Sequence, residues 1–176
     1  MLNWSLLLIG IILIVGVSSL WTQAIGAAWS PTPMRKVRRM LSMAKVNSKD
    51  VVYDLGSGDG RILITAVREF GARSVGIEAD PLRLISSRIL IKLLRLGNQA
   101  KVTWGNFYNK KLSEATVITV FLFDSTNARL KEKFERELKP GTRIVSYYWS
   151  FEGWNPVVAD EEEKVYLYQI GRGLDQ

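Results

Sequence analysis

One run of the sequence, residues 51–61 (VVYDLGSGDGR), has the residue types and spacing that most directly suggest chemistry. An apolar stretch typical of a buried strand leads into three glycines at alternate positions. Gly56 allows a sharp turn, Gly58 allows a ligand to approach the backbone, and Gly60 allows close helix–strand packing. Asp54 lies inside the apolar stretch, where a buried carboxylate without a polar partner would be unfavourable. The run therefore predicts a strand, a ligand-binding turn and a helix.

The charges beside this turn distinguish two kinds of nucleotide ligand. In the dinucleotide-binding fingerprint the third glycine comes one residue later, and the helix N-terminus faces a pyrophosphate. Asp54 and Asp59 would repel a pyrophosphate, but they suit a ligand that carries a sulfonium and an ammonium group. A second predicted strand, residues 74–78, ends at Glu78. The distance in sequence from the glycine-rich turn to Glu78 is close to that at which an acid binds ribose hydroxyls in dinucleotide-binding folds.

In these features the chain resembles the Rossmann-like S-adenosylmethionine-dependent methyltransferases. The resemblance implies that the cofactor is bound by residues of the turn and of the following strand ends: Asp54, Gly56, Ser57, Gly58, Gly60, Glu78 and Asn106. Glu78 would accept hydrogen bonds from the ribose hydroxyls, and Asn106 would accept one from the adenine amino group. Asn106 follows Gly105 and is also typical of a turn. NAD binding and an empty relic of the fold are the alternatives to a methyltransferase.

The composition removes several kinds of chemistry. The chain has 176 residues, with no cysteine and no histidine. It therefore has no disulfide, no thiolate nucleophile and no imidazole base, and we expect no metal site. Carboxylates, tyrosines, backbone groups and a reactive cofactor remain as the means of catalysis. Methyl transfer from a sulfonium is compatible with this set, because the leaving group is already activated.

The N-terminal segment is apolar and uncharged. No side chain carries a charge between residues 2 and 33, and Trp4 and Trp21 bracket the most apolar part. Residues 3–24 are long enough to cross a bilayer as a helix. A cleaved signal peptide would begin with basic residues, which are missing, and a buried core helix is the third alternative. We therefore predict a transmembrane anchor within residues 1–29.

Residues 30–50 follow this segment and are predicted to form a juxtamembrane basic helix and linker. Six basic residues precede the first acid, Asp50: Arg35, Lys36, Arg38, Arg39, Lys45 and Lys49. We therefore predict a single-pass membrane protein, and by the positive-inside rule we expect its catalytic domain to be cytoplasmic. We expect these residues to lie on anionic lipid headgroups, with the bilayer as a partner. A nucleic-acid partner is not needed to explain them.

Residues 51–176 are predicted to form the methyltransferase domain. Apolar patterning predicts strands at residues 51–55, 74–78, 101–104, 115–123 and 142–147, and helices at 34–44, 60–70, 81–96 and 130–138. The remaining chain predicts an antiparallel edge pair. The fold class is α/β: a Rossmann-like, doubly wound, mostly parallel sheet, preceded by one transmembrane helix. Helix 81–96 is expected to present a solvated basic face, and the acidic run 160–163 a solvated turn.

The fourth strand leads to Asp124, beside the expected position of the methyl acceptor. Cytosine C5 methylation needs a cysteine, and the motif of enzymes that methylate amino groups of DNA bases is absent. An amine acceptor must lose a proton and be held in line with the methyl group. The candidate catalytic residues are Asp124, Tyr147 and Tyr148. Three further aromatic residues could surround an ammonium by cation–π contact: Phe121, Trp149 and Trp154.

Over residues 31–170 the chain resembles the archaeal protein lysine methyltransferases and their membrane-anchored mitochondrial relatives. The resemblance rests on Pro31-Thr32-Pro33, the glycine-rich turn, Ser125-Thr126-Asn127 and Gly153-Trp154. It implies transfer to lysine side chains of proteins, which membrane attachment would restrict to membrane-associated substrates. Members often carry a histidine where Tyr147 stands, and a non-acidic residue where Asp124 stands. A lipid or quinone methyltransferase and a non-catalytic cofactor-binding protein are the alternatives.

Overall fold

The computed structural model describes residues 3–5, 8–10, 16 and 30–172. Residues 30–172 form four α-helices: α1 (Met34–Met43), α2 (Arg61–Phe70), α3 (Pro81–Leu93) and α4 (Asp124–Glu137). They also form seven strands: β1 (Val51–Leu55), β2 (Arg73–Glu78), β3 (Ala100–Trp104), β4 (Val117–Val120), β5 (Arg143–Tyr147), β6 (Val158–Asp160) and β7 (Val165–Gln169). A short 3-10 helix covers Phe107–Asn109.

The strands form a single sheet in the order β3-β2-β1-β4-β5-β7-β6. The first five are parallel, and β7 is antiparallel to both β5 and β6. This confirms the predicted Rossmann-like, mostly parallel sheet with an antiparallel pair at one edge. The connections lead outwards in opposite directions from β1 and β4, and this switch point is where such sheets bind ligands.

Helices cover both faces of the sheet. One apolar cluster joins α1 and α2 to β1, β4 and β5, and a smaller one joins α2 and α3 to β3. On the other face, Leu130 and Phe134 of α4 pack with Tyr53 and Ile118. The sheet is therefore buried on both sides, which accounts for the almost continuously apolar sequences of its central strands.

Helix α1 packs as part of this fold. Val37, Met40 and Leu41 are fully buried against the sheet face that also carries α2. Four of its cations form ion pairs with carboxylates: Arg35 and Lys36 with Glu163, Arg38 with Glu69, and Arg39 with Asp160. The acidic run is thus not simply a solvated turn, since two of its carboxylates bind α1. These four cations would have to give up or share their carboxylate partners to bind lipid headgroups as predicted.

Helix α3 differs from the prediction in its length and in its exposed face. It ends at Leu93, earlier than residue 96, and its outward face is apolar at Ile85, Ile89 and Leu93. The inward face is formed by Leu84, Ser87 and Ile91. The expected solvated basic face is therefore wrong in its composition: basic side chains flank an exposed apolar stripe.

Among the residues that the structure describes, no helix is both long and apolar enough to cross a bilayer. The predicted anchor, residues 1–29, lies largely outside the described residues. The division of the chain at residues 29 and 50 stays a prediction.

Candidate active site

The carboxyl ends of β1, β2 and β4 meet in a cleft at the switch point of the sheet. Its walls include Asp54, Ser57 and Gly58 from β1 and the following turn, and Glu78 from the end of β2. Phe121 closes the side next to β4. The cleft thus brings together five of the predicted cofactor residues, Asp54, Gly56, Ser57, Gly58 and Glu78, whereas Gly60 and Asn106 are not among the residues that line it.

The glycine-rich turn is held tightly against β2. The backbone N–H groups of Gly56 and Ser57 both donate to the carbonyl oxygen of Ile77, at 2.9 and 3.2 Å. Gly58 has a φ of +53°, and a Cβ there would meet no atom within 4 Å, because this position faces open space. The turn therefore leaves its backbone accessible to a ligand at Gly58, as the sequence predicted.

Gly60 has a different packing role from the predicted one. Its φ is +81°, and a Cβ would lie 3.4 Å from Cβ of Ser87 and 4.0 Å from Cδ1 of Ile91. Both neighbours belong to α3. The close approach that Gly60 permits is therefore between the turn and a neighbouring helix, and not between a helix and a strand.

Glu78 supports the turn while lining the cleft. One carboxylate oxygen, Oε2, accepts from the backbone N–H of Gly58 at 2.7 Å, and the other, Oε1, accepts from that of Asp80 at 2.8 Å. The side chain is buried. A carboxylate can accept about four hydrogen bonds, so two acceptor positions remain for ligand hydroxyls.

Asp54 is a buried carboxyl group in the middle of the sheet. Thr119, its partner in the neighbouring strand β4, donates its hydroxyl to Oδ1 of Asp54 at 2.8 Å. Burial raises the pKa of Asp54 to about 7, the Thr119 hydrogen bond opposes this, and the negative charges of Glu78 and Asp59 add to it. A cationic ligand group beside Asp54 would restore the charged form.

Asp59 does not act as a free charge beside the cleft. Nη2 of Arg61 lies 2.6 Å from Oδ2 of Asp59, and Nη1 donates to the carbonyl oxygen of Thr32 at 2.9 Å. Although partial burial opposes it, the hydrogen bonds from Arg61 hold the pKa of Asp59 below its usual value. The turn is thus joined to the Pro31-Thr32-Pro33 segment, a function of Arg61 that the sequence alone did not indicate.

The cleft fits S-adenosylmethionine in its donor and acceptor groups. The hydroxyl Oγ of Ser57 is buried and has no hydrogen-bond partner in the described part of the chain. Asp54 suits the ammonium group of the cofactor, and the remaining acceptor positions of Glu78 suit the ribose hydroxyls. Two carboxylates in this position disfavour a pyrophosphate, which argues against a dinucleotide.

Asn106 has a structural role at the end of β3. Its Oδ1 accepts from the backbone N–H of Tyr108 at 2.9 Å and caps the 3-10 helix. This is the turn-forming role that we gave as the alternative. Binding of the adenine amino group by Asn106 stays a prediction, and it would use the second lone pair of the same oxygen.

Asp124 is exposed and lies at the first residue of α4, four residues beyond the end of β4. Its Oδ1 accepts from the backbone N–H of Ser125 at 2.7 Å. Phe123 occupies the N-cap position and forms no side-chain cap. Asp124 therefore presents its charge to solvent at the edge of the sheet that holds the cleft.

Tyr147 and Tyr148 extend an aromatic wall from the cleft. The ring of Phe121 lies 4.6 Å from that of Tyr147, which lies 6.3 Å from that of Tyr148. Tyr148 has a φ of +72°, which is unusual for a tyrosine, and its N–H donates to the carbonyl oxygen of Lys164 at 2.7 Å. Backbone strain of this kind costs about 1–3 kcal/mol and is concentrated at functional sites.

Asn127 is a buried polar residue that pattern reasoning identified only as part of a motif. Its Nδ2 donates to the carbonyl oxygen of Trp149 at 3.2 Å, and Ser146 donates to the same oxygen. Oδ1 of Asn127 has no partner among the described residues. Trp154, by contrast, is buried and stacks on Phe151, so it belongs to the core and does not surround the acceptor.

Comparison with known proteins agrees with this geometry. Residues 54–158 match the family described as the ANTKMT methyltransferase domain. A protein-lysine N-methyltransferase from Saccharolobus islandicus is 47% identical over 148 residues, which cover 80% of this chain and 92% of that protein. A human lysine N-methyltransferase of ATP synthase is 26% identical over 94% of this chain and 75% of its own length.

A solved structure supports the same assignment. The crystal structure of an RNA methyltransferase from Salinibacter ruber in complex with S-adenosyl-L-homocysteine superposes with a TM-score of 0.77. The two sequences are 40% identical, and the match covers 84% of this chain and all of that one (100%). This chain therefore belongs to the ANTKMT methyltransferase domain family and is an S-adenosylmethionine-dependent methyltransferase.

Proposed function

We propose that this protein is a membrane-anchored methyltransferase that transfers methyl groups from S-adenosylmethionine to lysine side chains of proteins. The observation that carries the proposal is the 47% identity to an archaeal protein-lysine N-methyltransferase over nearly the whole of that protein. A further relative, the mouse adenine nucleotide translocase lysine N-methyltransferase, is 31% identical over 77% of this chain and 60% of its own length. The lysine acceptor is inferred from these relatives and from the acceptor residues, and the membrane attachment is inferred from the sequence of residues 3–24.

The cofactor residues would bind different chemical groups of the cofactor. Glu78 fixes the backbone of the turn through Gly58 and offers its remaining lone pairs to hydroxyl groups. Asp54, held by Thr119, supplies the negative charge for an ammonium group. S-adenosylmethionine, when bound, supplies a methyl group activated by a positively charged sulfur.

The acceptor residues suit a cationic amine. Asp124 would attract the lysine ammonium by its exposed charge. Two ammonium groups of the chain itself already lie over the neighbouring tyrosine rings: Lys36 at 5.7 Å from the centroid of Tyr147 and Lys164 at 4.2 Å from that of Tyr148. The rings thus already bind ammonium groups, and a substrate lysine would use the same cation–π attraction in competition with these two side chains.

Membrane attachment is proposed from the sequence of residues 3–24. This segment is uncharged and flanked by tryptophans, and the first charges after it are basic. The catalytic domain would then be cytoplasmic, where the cofactor is made. Attachment would raise the effective concentration of membrane-associated protein substrates relative to soluble ones.

RNA is a second candidate acceptor. The Salinibacter ruber protein of 40% identity is described as an RNA methyltransferase, and this chain carries a net charge of +7. The greater identity to a protein-lysine N-methyltransferase favours the protein acceptor.

The test is to incubate the full chain with methyl-labelled S-adenosylmethionine, membranes and RNA, and then to separate protein, lipid and RNA. We expect the label in protein, recovered as methyllysine after hydrolysis. A Gly58→Val variant, whose affinity for the cofactor should be more than about 100-fold weaker, controls for contaminating enzymes. Label in the RNA or lipid fraction, with none in protein, would contradict the lysine acceptor.

A further inference from the structure

We infer that the outward face of α3, together with Trp104 of the edge strand β3, is a docking surface for an anionic lipid bilayer. We call this surface the α3 face and define it by Leu82, Ile85, Ile89, Leu93 and Trp104. It rests on the proposed membrane attachment only in that an anchor would bring the bilayer close.

The α3 face is unusually apolar for a surface exposed to water. Ile85, Ile89 and Leu93 are 54, 55 and 73% exposed, and the side chain of Trp104, at the end of β3, is 62% exposed. At 100° per residue, the three aliphatic side chains fall within one stripe of the helix, opposite its buried residues Leu84, Ser87 and Ile91. The helix therefore has two apolar faces, of which the sheet covers only one.

Basic side chains border this apolar stripe. On the helical wheel, Arg88 and Lys92 lie along one side of the stripe. Arg83 lies along the other side, but it is paired with Asp80 at 3.7 Å and lines the cleft, so the available charge is on the side of Arg88 and Lys92. The Trp104 ring, which donates its N–H to the carbonyl oxygen of Ala79 at 3.2 Å, has the amphipathic character common at membrane interfaces. An apolar stripe beside exposed basic side chains is the pattern of helices that lie in the plane of a membrane surface.

The charge of this region is entirely of one sign. Residues 81–113 contain seven basic side chains and no acid, while the whole chain has a net charge of +7. In residues 30–172, Lys92, Arg95 and Lys101 form no salt bridge, in contrast to the cations of α1. Each basic side chain near an anionic bilayer strengthens binding by about fivefold.

The position of the α3 face agrees with a bilayer near the N-terminal segment. Ser30, which follows the uncharged segment, and Arg83 of α3 line the same cleft. The α3 face thus begins on the side of the domain where the proposed anchor ends. A two-fold interface with a second copy is less suitable, because it would bring the basic borders of both copies together. RNA would match the charge but not the exposed isoleucines.

The absence of cysteine makes a direct test possible, because one introduced cysteine can be labelled uniquely. The full chain, as Ile89→Cys, is labelled with an environment-sensitive fluorophore and reconstituted into phosphatidylcholine vesicles with or without phosphatidylglycerol. Glu132→Cys, on α4 at the opposite face of the sheet, is the matched control. We expect a blue shift and quenching by lipid-borne quenchers at position 89 in anionic vesicles only, and neither at position 132.

A charge reversal sharpens the result. Lys92→Glu combined with Lys101→Glu should reduce the insertion of the label at position 89 by about 25-fold or more, since two cations that each strengthen binding about fivefold are lost. Lys139→Glu, at the opposite side of the domain, should leave it unchanged. Flotation of the protein with vesicles measures anchoring separately, so failure of the α3 face and failure of the anchor can be distinguished.

Several outcomes would overturn the inference. If the protein floats with anionic vesicles while the label at position 89 stays in water, the α3 face does not dock. Quenching that is equal in neutral vesicles would remove the role of the basic borders. If the label at position 89 is already shielded from water when the protein is in detergent without vesicles, the α3 face is covered by a second copy or by residues 1–29. If the label at position 89 is shielded from water only when RNA is added, the α3 face binds nucleic acid.

Discussion

The carboxyl ends of the strands carry two groups of site residues: a cofactor side, with Asp54 and Glu78, and an acceptor side, with Asp124 and Tyr148. The two sides differ in burial and in hydrogen bonding. On the cofactor side, Glu78 and Asp54 are buried and hydrogen bonded to backbone groups or to Thr119. On the acceptor side, Asp124 and Tyr148 are exposed. The cofactor site is therefore organised before its ligand binds, whereas the acceptor site depends on groups that solvent can reach. Substitutions on the first side should have larger effects than substitutions on the second.

The largest effect is expected from Gly58→Val. A φ of +53° is strained for a branched residue, by about 1–2 kcal/mol, and the side chain would project into the cleft. Binding of S-adenosylmethionine, measured by calorimetry, should weaken by more than about 100-fold. Gly58→Ala has the same backbone strain with less added volume, so it should bind more tightly than the valine variant. If the Gly58→Val and Gly58→Ala variants both bind the cofactor with wild-type affinity, Gly58 is not part of the cofactor site.

Glu78→Ala should be next. It removes the acceptor for two backbone N–H groups and for the ribose hydroxyls, which costs about 1–3 kcal/mol. Cofactor affinity should fall by about 5- to 150-fold. Glu78→Gln keeps the shape but offers one acceptor oxygen only, so its affinity should lie between those of the alanine variant and wild type. Equal affinities for glutamine and alanine would show that the charge, and not the turn geometry, is decisive.

Asp54→Asn separates stability from binding. Because burial raises the pKa of Asp54 to about 7, the folded state holds its proton more tightly than the unfolded state. Stability of the free protein should therefore fall as pH rises from about 4 through 7, by about 1.4 kcal/mol per pH unit at most. Asp54→Asn should abolish this loss and be more stable than wild type at pH 8, as measured by denaturant unfolding.

The same substitution should weaken cofactor binding. The ionised carboxylate is the form that binds an ammonium group, so wild-type affinity should increase with pH up to about 8. Asp54→Asn should bind about tenfold less tightly at pH 8, with little dependence on pH. A Thr119→Val variant provides the control, since it leaves the carboxyl group but removes its hydrogen bond. Unchanged affinity in Asp54→Asn would contradict the proposed role.

The smallest effect is expected from Asp124→Asn, on the acceptor side. An exposed charge contributes up to about 1 kcal/mol, so methyl transfer should slow by up to about fivefold, with cofactor affinity unchanged. Glu132→Gln removes an exposed acid further along the same helix and should change neither quantity. If Asp124→Asn methylates protein at the wild-type rate, Asp124 only begins α4, and the acceptor site lacks its proposed charge.

The order of elements could be predicted from the sequence, but several of their ends could not, and two of these have a clear physical reason. Strand β4 ends at Val120, before the predicted residue 123, because its partner β1 ends at Leu55, directly opposite. Helix α4 begins at Asp124, although the apolar pattern begins only at Leu130. Its first turns bury the polar residues Thr126 and Asn127, which an apolar periodicity cannot detect.

The candidate site was predictable where local spacing determines it. Asp54 and Glu78 follow from their distance to the glycine-rich turn, and both line the cleft. Thr119, the partner of Asp54, lies 65 residues away in sequence and comes into contact only through the pairing of β1 with β4. The exposed apolar stripe on α3 was missed, because Leu and Ile occur on both sides of the helix and the sequence does not say which side the sheet covers.

The contact between Arg61 and the carbonyl oxygen of Thr32 has a kinetic consequence. Residues 30–32 line the cleft, so a nucleoside held there touches the chain that leads back to the proposed anchor. Any movement of this short segment away from the cleft would break the hydrogen bond from Arg61. The dwell time of the product would then depend on how freely residues 30–32 move, and turnover would respond to the proposed attachment.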